Sequence, residues 1–289
     1  MTLEQLAIFI AVAEREHLTK GAAAVGLTPS AVSAAIKALE SAYNVDLFDR
    51  VGRRIQLTRA GQLFLAEARR TLASVKEAEG LLSELGGLST GHLDIEASQT
   101  IANYWLPTRL LRFRTLRPGI SVSFRDGNTA SVVQAVISGR AELGFIEGTV
   151  DEPALAARSL HSDELVIVMS SRAGGATSDR LQGLQWVMRE PGSGTRTEFE
   201  AALTAIGIDS ATLPVALTLP TNEAVLSAVR GSFCAAALSR LVVAPFIASG
   251  DLRALDIAIA PRQFTILRHK ERRLSAAALE FERICREPD

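Results

Sequence analysis

Residues 28–40 read TPSAVSAAIKALE, and they decide the fold of the first domain of this 289-residue chain. Thr28 followed by Pro29 predicts a helix start, because a threonine hydroxyl accepts from a free backbone N–H and proline suits the first turn. Apolar residues then fall at helical spacing on one face, while the opposite face is small and polar. The buried face comprises Val32, Ile36 and Leu39.

Two shorter helices precede this segment. Residues 2–5 form a capping box, in which Thr2 and Gln5 satisfy free backbone donors at the start of a first helix. A second helix, which we expect Thr19 to cap, runs to Val25, and Gly26 permits the turn that follows. A helix whose exposed start is small and polar, after such a turn, is typical of a helix-turn-helix, since bulky side chains would hold it out of the major groove.

A basic segment follows the third helix. Four arginines and no acidic residue lie between positions 50 and 59. Ile55 and Leu57 alternate after Gly52, which predicts a small hairpin. Arg53 and Arg54 are then placed to contact phosphate or a narrow minor groove. A helical packing module with a solvated charged turn would show the same features.

Residues 1–60 resemble the winged helix-turn-helix of LysR-type transcriptional regulators. The resemblance rests on FIAVA at 9–13, AAA at 22–24, the segment at 28–40, LFDR at 47–50 and LTRAG at 57–61. It implies double-stranded promoter DNA as a partner. Family members often carry glutamine or arginine after the recognition-helix serine, whereas this chain has Ala34 and Ala35, so base reading leans on hydroxyls and DNA shape. The candidate DNA-binding residues are Thr28, Pro29, Ser30, Ser33, Ala34, Lys37, Arg50, Arg53 and Arg54.

A long helix without proline is predicted from Ala60 to Leu85. Its apolar residues recur every three or four positions, and a rod this long is not stable alone in water. We expect the stripe to pair two copies of the chain, although a helix lying on its own domain would have the same pattern. The stripe consists of Leu65, Ala68, Leu72, Val75, Ala78, Leu82 and Leu85, and the glycine-rich segment 86–91 ends it as a hinge.

Strand and helix patterns alternate after the hinge. Leu93–Ala97 alternates as a strand, a helix from Ser98 to about Leu116 follows, and Ile120–Phe124 alternates again. Residues 165–170 form an apolar strand that suits the inside of a sheet. These patterns predict a parallel α/β architecture, with the chain entering a second subdomain near 161–163 and returning near Thr265.

The resemblance extends over this region. It implies a periplasmic-binding-protein-like effector domain of two α/β subdomains, and it is closest to the branch associated with sulfur assimilation and carbon-fixation genes. We expect a winged helix-turn-helix at 1–60, a linker helix and hinge at 61–91, and an effector domain at 92–289. Subdomain I would comprise 92–162 and 266–289, and subdomain II would comprise 163–265.

Polar residues stand where several strands of this predicted sheet end. Ligands of open parallel sheets bind beyond the carboxyl ends of the strands, and helix starts there favour anions. A Gly-Ser-Gly-Thr-Arg run at 192–196 would cradle an anionic effector, with Arg196 supplying charge, although ordinary N-caps would use the same residue types. The candidate effector-binding residues are Ser98, Gln99, Thr100, Asn128, Thr129, Gly148, Ser193, Gly194, Thr195 and Arg196.

Composition and motifs exclude other classes. The chain is 47% hydrophobic and 22% charged, which is typical of a globular protein. No uncharged run reaches the ~18 apolar residues that a membrane helix needs, and the N-terminus has no basic-then-apolar signal segment, so we expect a cytoplasmic protein. Four scattered histidines and two cysteines provide no catalytic, metal or cofactor motif. No thiolate-stabilising motif surrounds Cys234 or Cys285, so a redox switch is not favoured.

The sequence therefore favours a ligand-responsive, sequence-specific transcription regulator and not an enzyme. An α/β binding protein or enzyme with a helical dimerisation module is the alternative, and an architectural DNA binder without an effector is another. The resemblance implies a homodimer through the linker helix, a dimer of dimers as a homotetramer, and contact with RNA polymerase.

Overall fold

The computed structural model describes residues 1–51, 54–85, 90–172, 181–257 and 259–287. These residues form two units, one that ends with the long helix and one that follows it. Arg53 in the predicted wing and residues 86–89 of the predicted hinge lie outside the described residues.

The N-terminal unit contains four helices and one hairpin. The predicted capping box is present, because the Thr2 hydroxyl accepts from the Gln5 N–H at 3.1 Å and the Gln5 side chain accepts from the Thr2 N–H at 3.0 Å. The second helix begins earlier than predicted, because His17 and not Thr19 is its N-cap. The elements are α1 Leu3–Ala13, α2 Leu18–Ala24, α3 Pro29–Tyr43, β1 Phe48–Val51, β2 Arg54–Leu57 and α4 Arg59–Leu85.

Phe9 of α1 is the centre of this unit. Its ring is fully buried and lies 5.4 Å from the ring of Phe48 and 4.9 Å from the ring of Phe64. The same cluster takes in Leu65, Ala68 and Leu72 of α4, so the first half of the predicted stripe packs on its own domain. Beyond it Ala78 is exposed and Leu82 is 70% exposed, so these two residues of the stripe remain open.

The C-terminal unit is built on two five-stranded sheets. The first has the order β4-β3-β5-β12-β6 and the second the order β11-β7-β10-β8-β9. The strands are β3 Gly91–Ser98, β4 Ile120–Gly127, β5 Leu143–Glu147, β6 Leu155–Asp163, β7 Leu165–Ser170, β8 Trp186–Arg189, β9 Val215–Leu219, β10 Ala235–Ser239, β11 Leu252–Ala254 and β12 Arg262–His269. The helices are α5 Gln99–Tyr104, α6 Leu106–Leu116, α7 Thr129–Ser138, α8 Gly194–Ala205, α9 Asn222–Arg230, α10 Arg240–Ala248 and α11 Ala276–Arg286, with short 3₁₀ turns at Leu181–Gly183 and Ser210–Thr212.

Two features differ from the sequence prediction. The sheets are mixed and not parallel throughout, because β12 is antiparallel to β5 and β6, and β7 is antiparallel to β10 and β11. The helix predicted from Ser98 to Leu116 is interrupted at Trp105, since Pro107 belongs to the first turn of a new helix.

The chain passes between the sheets twice. It leaves the first sheet after Asp163 and enters the second at Leu165, and it returns to the first sheet at Arg262, a few residues before the predicted position. Trp186 and Phe199 pack together in the second subdomain, and Phe145 and Phe264 lie in the core of the first.

Within the described part of the chain, no single helix is long and apolar enough to cross a membrane. One bent pair, α2 with α3, passes by length and composition alone.

Candidate functional site

The exposed face of α3 is the first candidate surface. Val32 and Leu39 are buried at 0% and 3%, as predicted, and they hold the helix against the domain. The opposite face carries only small or flexible side chains. The Thr28 hydroxyl accepts from the Ala31 N–H at 3.3 Å, which fixes the start of the helix. Thr28, Pro29, Ser30, Ala34 and Lys37 are exposed, and Ser33 is half-buried.

The predicted wing forms a two-stranded antiparallel hairpin. Phe48 pairs with Leu57 at one end of the hairpin, and Val51 pairs with Arg54 at the other. Arg50 lies in the first strand, opposite Ile55. The backbone therefore places Arg50 and Arg54 on the hairpin, as the arginine-rich segment predicted.

The second candidate site lies where three parallel strands of the first sheet end. Ser98 pairs with Gly127 across β3 and β4, and β5 ends alongside at Glu147. Ser98, Gln99 and Thr100 are buried there, and Asn128 and Thr129 follow the end of β4 half-buried. Gly148 has a positive φ of 80° directly after β5. The structure thus brings together the predicted residues of subdomain I.

Hydrogen bonds join these residues to subdomain II. The Thr100 hydroxyl accepts from the Asn222 amide at 3.1 Å, and the Gln99 side chain accepts from the Asn222 N–H at 2.9 Å. The Asn128 amide donates to Glu190 at 3.2 Å. The space between the subdomains is therefore crossed by polar contacts, and Asn222, the first residue of α9, is central to them.

Arg262 is a buried cation of this cleft. Its guanidinium donates to the Thr195 hydroxyl at 3.0 Å and to the Thr100 hydroxyl at 3.4 Å, so it links two predicted site residues. It also pairs with Asp163 at 2.7 Å, and both side chains are almost completely buried. Sequence reasoning missed this pair, because its members lie 99 positions apart.

Arg196, the predicted charge of the anion cradle, is bonded to neighbouring protein groups in this structure. Its Nε donates to Glu200 at 2.7 Å and its Nη1 donates to the Arg189 carbonyl at 3.1 Å. Ser193 does cap α8, accepting from the Arg196 N–H, as the ordinary N-cap alternative expected. The role of Arg196 in charging the anion cradle stays a prediction, and in this structure its side chain is engaged by neighbouring groups.

Two carboxylates also line the cleft. Glu147, at the end of β5, is 3% exposed, and Glu198 of α8 is half-buried. Burial raises the pKa of the Glu198 carboxyl above its ordinary value, Arg262 lowers it in part, and Glu147 raises it further.

The cysteines do not form a site. Cys285 is buried in the core of the first subdomain and Cys234 lies partly buried in the second, and both are free. Burial raises the pKa of the Cys285 thiol to about 12. In the part of the chain that the structure describes, no group of three histidine, cysteine or acidic side chains is arranged to hold a metal ion.

Comparison with known proteins covers both units. Residues 3–62 match the family model of the bacterial regulatory helix-turn-helix protein, lysR family, and residues 86–288 match the LysR substrate binding domain. The chain is 32% identical over 291 residues to the uncharacterised HTH-type transcriptional regulator YeiE of Escherichia coli K12, covering 99% of this chain and 97% of that protein. It is 31% identical over 290 residues to a probable RuBisCO transcriptional regulator of Cyanidioschyzon merolae, covering 97% and 96%.

Solved structures share the fold. Full-length CbnR in complex with its target DNA superposes with a TM-score of 0.69 at 20% identity, covering 99% of both chains. The regulatory domain of Synechocystis CcmR in complex with 2-PG superposes with a TM-score of 0.61 at 24% identity, covering 68% of this chain and 96% of that domain.

Proposed function

The chain belongs to the LysR family of bacterial transcriptional regulators, and from that membership we propose how its parts divide the work. It is a DNA-binding transcription regulator whose C-terminal domain binds a small metabolite. Residues 1–60 bind the promoter and residues 92–289 bind the metabolite. Residues 61–91 connect these two domains as a linker helix and hinge.

The promoter-reading proposal rests on the exposed face of α3. A helix seated by Val32 and Leu39 presents small side chains at its start, where a recognition helix meets base edges. Ser30 and Ser33 supply hydroxyls for base contacts, and Ala34 supplies an apolar contact for a thymine methyl. Lys37 and the arginines of the wing bind phosphate, which provides affinity without sequence preference.

A band-shift series over salt concentration tests this division. We expect Arg53→Ala to weaken binding to specific and random DNA alike and to reduce the slope of log K against log salt by about 1. Ser33→Ala should cost about 1 kcal/mol on the specific site only, the worth of one hydrogen bond. Arg125→Ala, an exposed arginine on β4, is the matched control. Equal losses on both DNAs for Ser33→Ala contradict the assignment.

We place the metabolite between the two subdomains, with an acid group on the hydroxyls of Thr100 and Thr195 and on Arg262. The bonds from Arg262 to both hydroxyls are the observation that carries this proposal. The binding of 2-PG by the CcmR domain supports a small acid in such a fold. The remaining proposed contacts are Ser98, Gln99, Asn128, Thr129, Gly148, Ser193, Gly194 and Arg196.

Thermal shifts of the full-length protein with sulfate, thiosulfate, O-acetylserine and sugar phosphates test the effector proposal, since a ligand of the native state raises its stability. The compound that stabilises most is then added to a promoter footprint. A changed footprint supports the proposal, and a footprint that no metabolite changes contradicts it.

The long helix α4 is the element through which copies of the chain would assemble. We propose a homodimer through the second half of α4, where Leu82 is 70% exposed, and the pairing of two dimers. We also propose that the protein contacts RNA polymerase at the promoter and acts in the cytoplasm, where that DNA lies.

A further inference from the structure

Glu147 is a buried acid without a partner. Its residue is only 3% exposed, and among the described residues its carboxylate makes no hydrogen bond or ion pair. A buried carboxylate without a counter-charge is unfavourable, and native proteins retain one where a ligand or a function requires it. Glu198, half-buried on the facing helix, also has no ion-pair partner within the described residues.

The two acids occupy one small space. A Cβ added to Gly148, the residue after Glu147, would lie 2.0 Å from the Glu198 Oε1, so the glycine makes room for that side chain. A Cβ added to Gly194 would lie 2.9 Å from the Glu147 Oε2 and 2.5 Å from the Thr129 Oγ1. Glu147 belongs to the first sheet and Glu198 to the second subdomain, so the carboxylates approach each other across the cleft.

Two hydroxyls in the same region are also unused. The side-chain oxygens of Ser98 and Thr129 are buried, and in the described structure neither has a hydrogen-bond partner. Ser98 stands at the start of α5 but does not cap it. Buried hydroxyls without partners are rare in native proteins, so both are available to a ligand.

The charges of the cleft do not balance. Arg262 is neutralised by Asp163, and Arg189 by Glu190 at 2.8 Å. Glu147 and Glu198 then add two further negative groups. A ligand that is only an anion would bring its charge close to both, and Coulomb repulsion in a poorly solvated cleft is strong.

We propose that the effector is a zwitterion of the amino-acid type, whose ammonium group lies between Glu147 and Glu198. The inference rests on the proposed function, in which the acid group binds Thr100, Thr195 and Arg262. An ammonium has three donors, which suit two carboxylates and one hydroxyl such as that of Thr129. Because each carboxylate belongs to a different subdomain, the ammonium offsets their repulsion and favours the closed cleft.

Matched pairs of compounds test this inference on the full-length protein. L-serine is compared with L-glycerate, L-alanine with L-lactate, and O-phospho-L-serine with 3-phosphoglycerate, each pair exchanging only an amine for a hydroxyl. Calorimetric titration should show at least one amine binding about tenfold or more tighter than its partner, as expected of a charge-assisted hydrogen bond. That preference should disappear in Glu147→Gln and Glu198→Gln and persist in Glu164→Gln, an exposed control.

The ligand-free variants give a second measurement. Glu147→Gln removes a buried unpaired charge, so it should melt at a higher temperature than wild type, and a lower melting temperature overturns the inference. Equal binding of amine and hydroxyl partners, no binding of any amine, or stabilisation by Mg²⁺ in place of an amine also overturns it. A response to hydroxy acids alone leaves the proposed function standing, whereas that function fails if no metabolite changes the promoter footprint.

Discussion

Asp163→Asn is expected to destabilise the C-terminal unit strongly. The side chains of Arg262 and Asp163 are 0% and 2% exposed, and the carboxylate also accepts from the Ser239 hydroxyl at 2.7 Å. Asparagine keeps the size of the side chain but leaves the guanidinium buried without a counter-charge. Breaking one partner of a buried ion pair costs about 3–5 kcal/mol.

The expected shift in melting temperature follows from the size of the unit. A domain of 150–250 residues loses about 2–4 °C for each kcal/mol, so Asp163→Asn should melt about 6–20 °C below wild type. Tryptophan fluorescence measures this transition selectively, because both tryptophans of the chain, Trp105 and Trp186, lie buried in the C-terminal unit.

Two controls separate charge from general damage. Glu164→Gln breaks the exposed pair with Arg240 and should cost less than about 1 kcal/mol. The double variant Asp163→Leu with Arg262→Met removes both charges and should recover most of the loss, since apolar replacement of a buried pair is often neutral. The reasoning is refuted if Asp163→Asn melts no lower than Glu164→Gln.

Three further outcomes are expected. Thr100→Val removes the acceptor shared by Arg262 and Asn222 and should cost about 1–3 kcal/mol in the fluorescence melt, while Thr204→Val on the surface of α8 should not. Val75→Asp with Leu82→Asp should reduce the sedimentation coefficient by breaking the proposed α4 pairing, whereas Leu63→Asp, which lies off the stripe, should leave it unchanged. An unchanged coefficient for the double variant argues against that pairing. Iodoacetamide at neutral pH should label Cys234 before Cys285, because burial raises the pKa of the Cys285 thiol to about 12 and keeps it protonated. Mass spectrometry that finds Cys285 labelled first contradicts this expectation.

Local signals predicted the N-terminal unit well. The capping box at Thr2 and the cap and proline at Thr28 and Pro29 act within four residues, so the sequence contains the whole interaction. Burial of Val32 and Leu39 follows from helical spacing in the same way. The cap of α2 was missed because a histidine side chain, and not a hydroxyl, accepts the free N–H there.

The sequence predicted where the cleft lies but not which side chains provide its charge. Strand ends and helix starts located Thr100, Asn128 and Thr195, because these are properties of short segments. Arg262 reaches Thr100 across 162 positions and Asp163 across 99, and nothing local indicates either contact. The ion pair of Arg196 was predictable from the sequence, since Glu200 stands four residues later on the same helix face.

The Asp163–Arg262 pair lies where the chain crosses between the two sheets, so ligand binding beside it can affect the opening and closing of the cleft. Asp163 ends the strand by which the chain leaves the first sheet, and Arg262 begins the strand by which it returns. The donors of Arg262 meet Thr100 in subdomain I and Thr195 in subdomain II, so a ligand that takes those hydroxyls competes with bonds at the crossing itself. Two such hydrogen bonds are worth about 1 kcal/mol each, which falls within the ~1–3 kcal/mol typical of coupling between sites. A metabolite with no differential affinity for the open and closed cleft would shift nothing, whereas loss of these two bonds in only one of the two states would change the equilibrium between them by roughly thirtyfold, at 1.4 kcal/mol for each factor of ten.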